Sequence, residues 1–297
     1  MIALNSKGMT FVNTRPYVSA PIRQYQDFRF VSWESDIYPA FKGQPHKEEI
    51  EFFANLIVSN NLHSILDLGL GGGIELDSIM TYLNQKGHIL ETTEANEVDD
   101  IFIKQAKALL TRHKHNVMIH NANWIDLPSA QPPYTHEFDF AYLTGNSLSY
   151  IGGGTRRGTK RSQQAILDRF AGLIRRNGYF FIDTRNFDFI KSLMDQPSEE
   201  IIRRFTFQKS VYYHGTPSPV RVVPAYISDT VVVMHYYIPS LRIWSKLDLY
   251  PIYHSDLLDI LSRSFSIERI FHDFVEVNHT RKMPRKSQFI QYLIRKR

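Results

Sequence analysis

The sequence predicts a doubly wound α/β fold: a mostly parallel sheet of seven strands, an antiparallel β insertion over residues 191–250 and an N-terminal arm over residues 1–45. Three observations predict it. Short apolar runs alternate with stretches of helical period between residues 46 and 190, a glycine cluster follows the first of those runs, and beyond residue 200 the period changes to two. Strands joined by helical connections make right-handed crossovers, and those build a parallel sheet covered on both faces. With no internal repeat and no low-complexity linker, the 297 residues read as one elaborated domain whose core, 46–190, is completed by 251–297.

The arm carries aromatic residues without sustained periodicity (Phe11, Tyr17, Tyr25, Phe28, Phe30, Trp33, Tyr38 and Phe41), which reads as irregular chain laid over a site. A helix begins after Pro45 with Ile50, Phe53, Leu56 and Ile57 on one face, and ends near Asn60-Asn61, since asparagine tolerates the left-handed cap conformation. Ser64 to Leu68 is a buried strand. Leu76, Ile79, Met80 and Leu83 mark the next helix, closed by Gly87. His88 to Thr93 reads as the second strand, and Ile101, Phe102, Ala106 and Leu109 as the helix after it. Val117 to Ile119 and Phe138 to Leu143 are the third and fourth strands. Ile166, Phe170, Leu173 and Ile174 form a helix that Asn177-Gly178 terminates, before a fifth strand at Tyr179 to Ile182. In the insertion, Phe205 to Phe207, Val211 to Tyr213, Val231 to Ile238 and Leu241 to Tyr250 alternate in the manner of antiparallel strands. Ser255 caps a helix from Asp256 to Leu261, and Ile267 to Phe274 with Gln288 to Ile294 close the sheet.

Hydrophobic residues at 43% and charged residues at 22% exclude wholesale disorder. No apolar run approaches the roughly 18 residues that span a bilayer, and the N-terminus lacks the basic-then-apolar layout of a signal peptide. A cytoplasmic protein with no membrane partner is therefore expected. The absence of cysteine excludes disulfides, thiolate nucleophiles and Cys-type zinc or iron–sulfur centres. The net charge is +5, and from Arg281 to Arg297 there are seven basic residues and no acidic one. Because Phe289, Ile290, Tyr292, Leu293 and Ile294 are interleaved with them, this reads as a terminal strand with a basic face. His113, His115 and His120 have no carboxylate partner at a fixed spacing, so they read as residues at a helix end and no metal site is expected.

The most informative stretch is Leu66-Asp67-Leu68-Gly69-Leu70-Gly71-Gly72-Gly73. A strand runs into Gly-x-Gly-x-Gly and then a helix, so the backbone can turn sharply and approach a ligand where side chains would collide. The pyrophosphate version of such a loop keeps a small residue where Ile74 stands, which lowers the dinucleotide reading. Glu94, just beyond the second strand, can accept both hydroxyls of a ribose. Asn123 can bond a base and Trp124 stack on it, while Leu143 to Ser147 ends the fourth strand where transferred chemistry occurs in such sheets.

With those residues in place, the chain resembles the class I S-adenosylmethionine-dependent methyltransferases, and more narrowly the glycine N-methyltransferase and glycine/sarcosine methyltransferase group. The matching stretches are Leu66-Asp67 with its glycine loop, Asp77-Ser78-Ile79-Met80, Ala122-Asn123-Trp124, Gly145-Asn146-Ser147, the run from Ile182 through Arg185 to Ile190, and Tyr250-Pro251. The resemblance implies that Asp67, Gly69, Gly71 and Gly73 hold the methionine half of S-adenosylmethionine, Glu94 the ribose, and Asn123 and Trp124 the adenine, with Leu143 beside them. It implies that Trp33, Arg185 and Tyr250 enclose a small amine, that Arg185 clamps its carboxylate, and that Asn146 and Tyr25 orient the amine during methyl transfer. The insertion would then be a substrate lid.

Two other readings stay open at this stage. The Arg156-Arg157 and Lys160-Arg161 pairs and the basic tail suit a nucleic-acid methyltransferase, although Gly145-Asn146-Ser147 lacks the Asn/Asp-Pro-Pro-aromatic signature for exocyclic amines of a flipped base. The other is a non-catalytic protein that binds S-adenosylmethionine. Oligomeric state is left open.

Overall fold

The structure, a computed structural model, describes residues 10–11, 25–27, 47–127, 134, 137–194, 196, 209–213, 216–238, 243–272, 274–277, 287 and 289–297. In chain order these form β1 (Thr10–Phe11), β2 (Tyr25–Asp27), α1 (Lys47–Ser59), β3 (Ser64–Asp67), α2 (Ile74–Gln85), β4 (Thr92–Glu97), α3 (Asp100–Arg112), β5 (Met118–Asn121), β6 (Phe138–Leu143), α4 (Arg156–Gly172) and β7 (Ile174–Arg185). They continue with α5 (Phe187–Lys191), β8 (Lys209–Tyr213), β9 (Thr216–Ile227), β10 (Val232–Ile238), β11 (Ile243–Leu249), α6 (His254–Leu261), β12 (Phe265–His272), β13 (Val275–Val277) and β14 (Phe289–Lys296). The chain divides into two compact units, one of residues 44–148, 161–186 and 254–297, the other of 1–43, 149–160 and 187–253.

The first unit holds an eight-stranded sheet ordered β13-β12-β14-β7-β6-β3-β4-β5. β7, β6, β3, β4 and β5 run parallel, while β14, β12 and β13 are antiparallel. This is the expected doubly wound sheet with one short edge strand, β13, added beyond β12. Both faces are covered by aromatic residues that alternate along β7. Phe181 meets Phe53 of α1 at 4.8 Å in an edge-on contact, and its neighbour Phe180 turns the other way, to Phe170 of α4 at 6.1 Å. Phe53, Phe140, Phe170, Phe180 and Phe181 are fully buried, and each such ring contributes about 1.5–3 kcal/mol.

Several elements depart from the sequence expectation. The second strand lies at Thr92–Glu97 rather than His88 to Thr93. The apolar residues that suggested the earlier span are outside it, and Ile89 is 76% exposed. The strand's middle, Thr93-Glu94-Ala95-Asn96, is instead buried and largely polar. The Asn96 amide donates to the carbonyl of Ala122 at 2.8 Å, and the Glu94 carboxylate lies 2.5 Å from His120 Nε2. Helix α4 ends at Gly172, and Asn177, left-handed at φ 63, sits with Gly178 inside β7. A Cβ on Gly178 would meet Ile174 Cγ2 at 2.9 Å and two carbonyl oxygens at 3.0 Å, so the pair makes a bulge rather than a helix stop. Helix α6 starts at His254, which places Ser255 inside it.

The basic end of the chain is the expected strand. β14 pairs with β7 and β12. Arg295 Nε donates to the carbonyl of Asn177 at 3.3 Å and Lys296 Nζ to that of Ala171 at 2.9 Å. These two cations thus serve the fold.

The second unit carries the antiparallel strands, ordered β1-β9-β10-β11-β2 with β8 also on β9. The β9–β10 register shifts between Val233 and Met234, opposite Pro224, which has no N–H to give a ladder. The Phe205 to Phe207 segment lies outside the described residues. Of the basic pairs, Arg156-Arg157 lies in the first turn of α4. No helix among the described residues is long and apolar enough to cross a membrane.

Candidate active site

The glycine loop joins the carboxyl end of β3 to α2. Gly71 and Gly73 are left-handed, with φ 52 and 78, a conformation that costs an L-residue about 1–2 kcal/mol. A Cβ on Gly73 would stand 3.0 Å from Cβ of Ala106, so this glycine also lets α2 lie against α3; one on Gly69 would stand 3.3 Å from Leu143 Cδ1. Asp67 braces the loop from beneath. Its carboxylate accepts the Gly69 N–H at 2.9 Å and the Tyr142 hydroxyl at 2.8 Å. Burial, and after it the negative charge of Glu75, push the Asp67 carboxyl up to about 7. Glu75, in the first turn of α2, accepts the Thr144 hydroxyl at 2.9 Å through Oε2, and its Oε1 is buried with no partner.

A third carboxylate sits at this loop, and it is not Glu94. Glu94 lies three residues before the end of β4, 1% exposed against His120, so the ribose role expected of it does not fit its place. The strand ends at Glu97. Its Oε2 accepts the Gly71 N–H at 2.8 Å, and its Oε1 accepts the N–H groups of Val98 at 2.7 Å and Asp99 at 3.0 Å. Burial raises its carboxyl above the ordinary value, opposed by those N–H bonds. A carboxylate offers about four acceptor directions, so one on Oε2 remains for a ligand. The sequence does hold a signal for Glu97: Asp99 caps α3 by accepting the N–H groups of Ile101 and Phe102, so the preceding strand must end just before it.

Beyond β5, Asn123 caps a short 3-10 turn by accepting the Ile125 N–H at 3.1 Å. Trp124 donates its indole N–H to the carbonyl of Leu68 at 2.7 Å and stands edge-on to Phe170 at 5.5 Å. Its N–H is therefore spent on the strand that carries the glycine loop, which leaves the ring, not a hydrogen bond, for an adenine.

At the ends of β6 and β7 the two strands are stitched together. Gly145 and Asn146 are consecutive left-handed residues, φ 76 and 60. Asp183 accepts both of their N–H groups, at 3.2 and 2.6 Å. Asn146 Oδ1 accepts the Arg185 N–H at 2.9 Å and the Thr184 hydroxyl at 3.3 Å. The amide oxygen expected to orient an amine is thus already used to set the carboxyl end of β7, and Asn146 is a positioning residue for Arg185. The Arg185 guanidinium lies over the Phe289 ring at 5.1 Å. Its Nε is buried without a partner, and among the described residues no carboxylate is in ion-pair reach.

In the other unit, Tyr250 donates its N–H to the carbonyl of Ser149 at 2.7 Å, and its ring lies where a Cβ on Gly152 would approach within 2.6 Å. Tyr25 pairs in β2 opposite Trp244 of β11. Trp33 lies outside the described residues.

The fold agrees with the comparisons. The chain is 27% identical to glycine N-methyltransferase of Rattus norvegicus over 164 residues, 52% of this chain and 53% of that protein. It is 24% identical to glycine/sarcosine/dimethylglycine N-methyltransferase of Actinopolyspora halophila over 233 residues, 78% of this chain and 36% of that protein. The chain thus spans about half the length of the first relative and about a third of the second. No protein-family model matches. Among solved structures, CalS10 with S-adenosylmethionine bound, an amino pentose methyltransferase from Micromonospora echinaspora, superposes with a TM-score of 0.59 at 12% identity, covering 88% of this chain and 96% of that one. The fold is the one found in the class I methyltransferases.

S-adenosylmethionine is the cofactor of that class, and the glycine loop of this chain fits it. Burial first, and then the negative charges of Glu75 and Glu97, raise the Asp67 carboxyl; three acidic side chains at the glycines suit a sulfonium and an ammonium and oppose a diphosphate. The Gly71 amide is likewise already given to Glu97 rather than left for a phosphate. Asp67 then couples binding to pH. Its folded pKa, about 7, is above its unfolded value of 3.8, so the folded chain holds an extra proton between those limits and loses stability as pH rises through them. A cation at the loop favours the ionised form. S-adenosylmethionine binding should therefore release a proton below pH about 7 and none above pH about 9, read by calorimetry in buffers of different ionisation enthalpy; equal heats across buffers at low pH would remove Asp67 from this role.

Proposed function

We propose that the chain is an S-adenosylmethionine-dependent methyltransferase acting on the nitrogen of a small amine, an amino acid or another carboxylate-bearing amine. The observation that carries the substrate class is Arg185. A planar guanidinium stands at the carboxyl end of β7 with a buried, unpartnered Nε and no carboxylate of its own among the described residues. Arginine in that state is suited to a two-point grip on a ligand carboxylate. The curated relatives, named as N-methyltransferases of glycine and sarcosine, support the same class and nitrogen as the acceptor.

When bound, S-adenosylmethionine supplies an electrophilic methyl group. The residues of this chain do the rest. The glycine loop, set by Asp67 and Glu97, would hold the nucleoside and methionine portions, with Glu97 taking a ribose hydroxyl on its remaining acceptor site. Arg185, placed by Asn146 and Asp183, would fix the amine by its carboxylate. Held in this way, the amine would present its lone pair to the methyl group that the cofactor would supply. Alignment alone supplies on the order of 7–11 kcal/mol in such reactions, so no strong acid is required.

A panel of amines incubated with isotopically labelled methyl donor and read by mass tests the proposal. Label on the nitrogen of carboxylate-bearing amines is the expected result. Label on amino sugars or RNA alone would replace the substrate class, and stoichiometric cofactor binding with no label anywhere would leave a binding protein.

A further inference from the structure

Histidines that the sequence leaves without a carboxylate gain one in the fold. We propose that Asp77, His113 and His115 form a binding site for a divalent transition-metal ion of the zinc class, clasping α2 to the end of α3. His113 Nδ1 lies 2.7 Å and His115 Nε2 3.4 Å from the same oxygen, Oδ1 of Asp77. The three ligand atoms all lie within 4.8 Å of one another. Thr81, one turn beyond Asp77 on α2, places its Oγ1 3.2 Å from His115 Nε2.

The convergence is built into the backbone. At the end of α3, Lys114 is left-handed at φ 60, and the His115 N–H returns to the carbonyl of Leu110 at 2.9 Å. That reversal brings the residues on either side of Lys114 to one side of the helix end. The α2–α3 contact then sets them against Asp77, since Gly73 lies on Ala106 one turn earlier in the same seam. The Asp77 and His115 side chains are 10% and 4% exposed and that of His113 is 44% exposed, so the cluster is sheltered yet has an entry side.

Two imidazoles and one carboxylate match zinc, cobalt or nickel and not magnesium or calcium, which take oxygen ligands. A tetrahedral ion with bonds near 2.1 Å needs ligand atoms about 3.4 Å apart. Asp77 and His115 already stand at that separation, and His113 needs to withdraw from its hydrogen bond by about 0.7 Å. Three protein ligands leave a fourth position for water, with the Thr81 hydroxyl beside it as a bonding partner for that water.

The site does not depend on the methyltransferase reading, and neither does its test. Tag-free full-length protein, stripped with chelator, is titrated with Zn2+ by calorimetry and with Co2+ by visible absorption. Expected are one ion per chain, a d–d band for Co2+, a higher melting temperature with Zn2+, and a loss of affinity of at least about 100-fold in His115→Ala. His113→Ala, at the exposed position, should bind more weakly with its fold intact by circular dichroism, and should lose the melting shift. Binding no tighter in the native chain than in the His113→Ala/His115→Ala double variant would overturn the proposal and leave a hydrogen-bonded helix cap. So would a Zn2+ effect on melting that survives both substitutions.

Discussion

Replacing Arg185 with alanine should lower kcat/KM for a carboxylate-bearing amine by roughly 30- to 1,000-fold, the cost of about 2–4 kcal/mol for removing one partner of a desolvated, doubly bonded ion pair. The loss should fall on KM and kcat together, because the clamp also aligns the nitrogen. The decarboxylated analogue of the same amine should lose little. Arg185→Lys should recover only part of the rate, since an ammonium cannot make the planar two-point contact. The variant should remain folded, as the interaction lost within the protein is a stacking contact with Phe289 worth about 0.5–2 kcal/mol. If both amines lose activity equally, Arg185 is not the carboxylate clamp. Asn146→Ala offers a companion measurement. It removes the oxygen that holds the Arg185 N–H and should reproduce part of the discrimination between the two amines, which a general loss of stability would not.

The second large effect distinguishes two glutamates on one strand. Glu97→Ala should weaken S-adenosylmethionine binding by roughly 10- to 150-fold, the value of one hydrogen bond to a charged acceptor. It also frees the Gly71 amide that shapes the loop. Glu94→Ala should instead act on stability. It leaves His120, 0% exposed, without the carboxylate that lies 2.5 Å away, at a cost of about 3 kcal/mol, while the cofactor affinity of the fraction still folded changes little. Calorimetry with the cofactor and thermal melting on both variants separate the roles. Exchanged outcomes, with Glu94→Ala losing affinity and Glu97→Ala losing only stability, would return the ribose to Glu94.

The shift of β4 from the span its sequence pattern suggests has a specific physical cause. Hydrophobic patterning finds a strand by its apolar residues, and β4 is buried through paired polar ones, Glu94 to His120 and Asn96 to Ala122. The nearby His88-Ile89-Leu90 run drew the strand toward itself although Ile89 lies in the open. The same limit explains Asn177-Gly178. A helix stop and a strand bulge both require a left-handed residue, and only the partner strand tells them apart. The glycine loop was legible because it is local: a strand, a turn that tolerates no side chain and a helix follow one another within a few residues. Arg185 was legible through its motif, but its availability was not, because an arginine with acids on both sides in sequence, Asp183 and Asp188, could pair with either. Asp183 is turned to the N–H groups of Gly145 and Asn146 instead.

From residue order alone came the parallel sheet, its antiparallel closing strands and the glycine loop, since each of these is written in periodicity and in the backbone freedom of glycine over short distances. Only the folded chain decided which carboxylate faces that loop, what the Asn146 oxygen holds, and that two histidines at the end of one helix meet an aspartate on another. Those are matters of direction between segments far apart in sequence. One residue of register in a strand reverses the face on which a side chain emerges, and no local pattern records which polar groups burial will bring together.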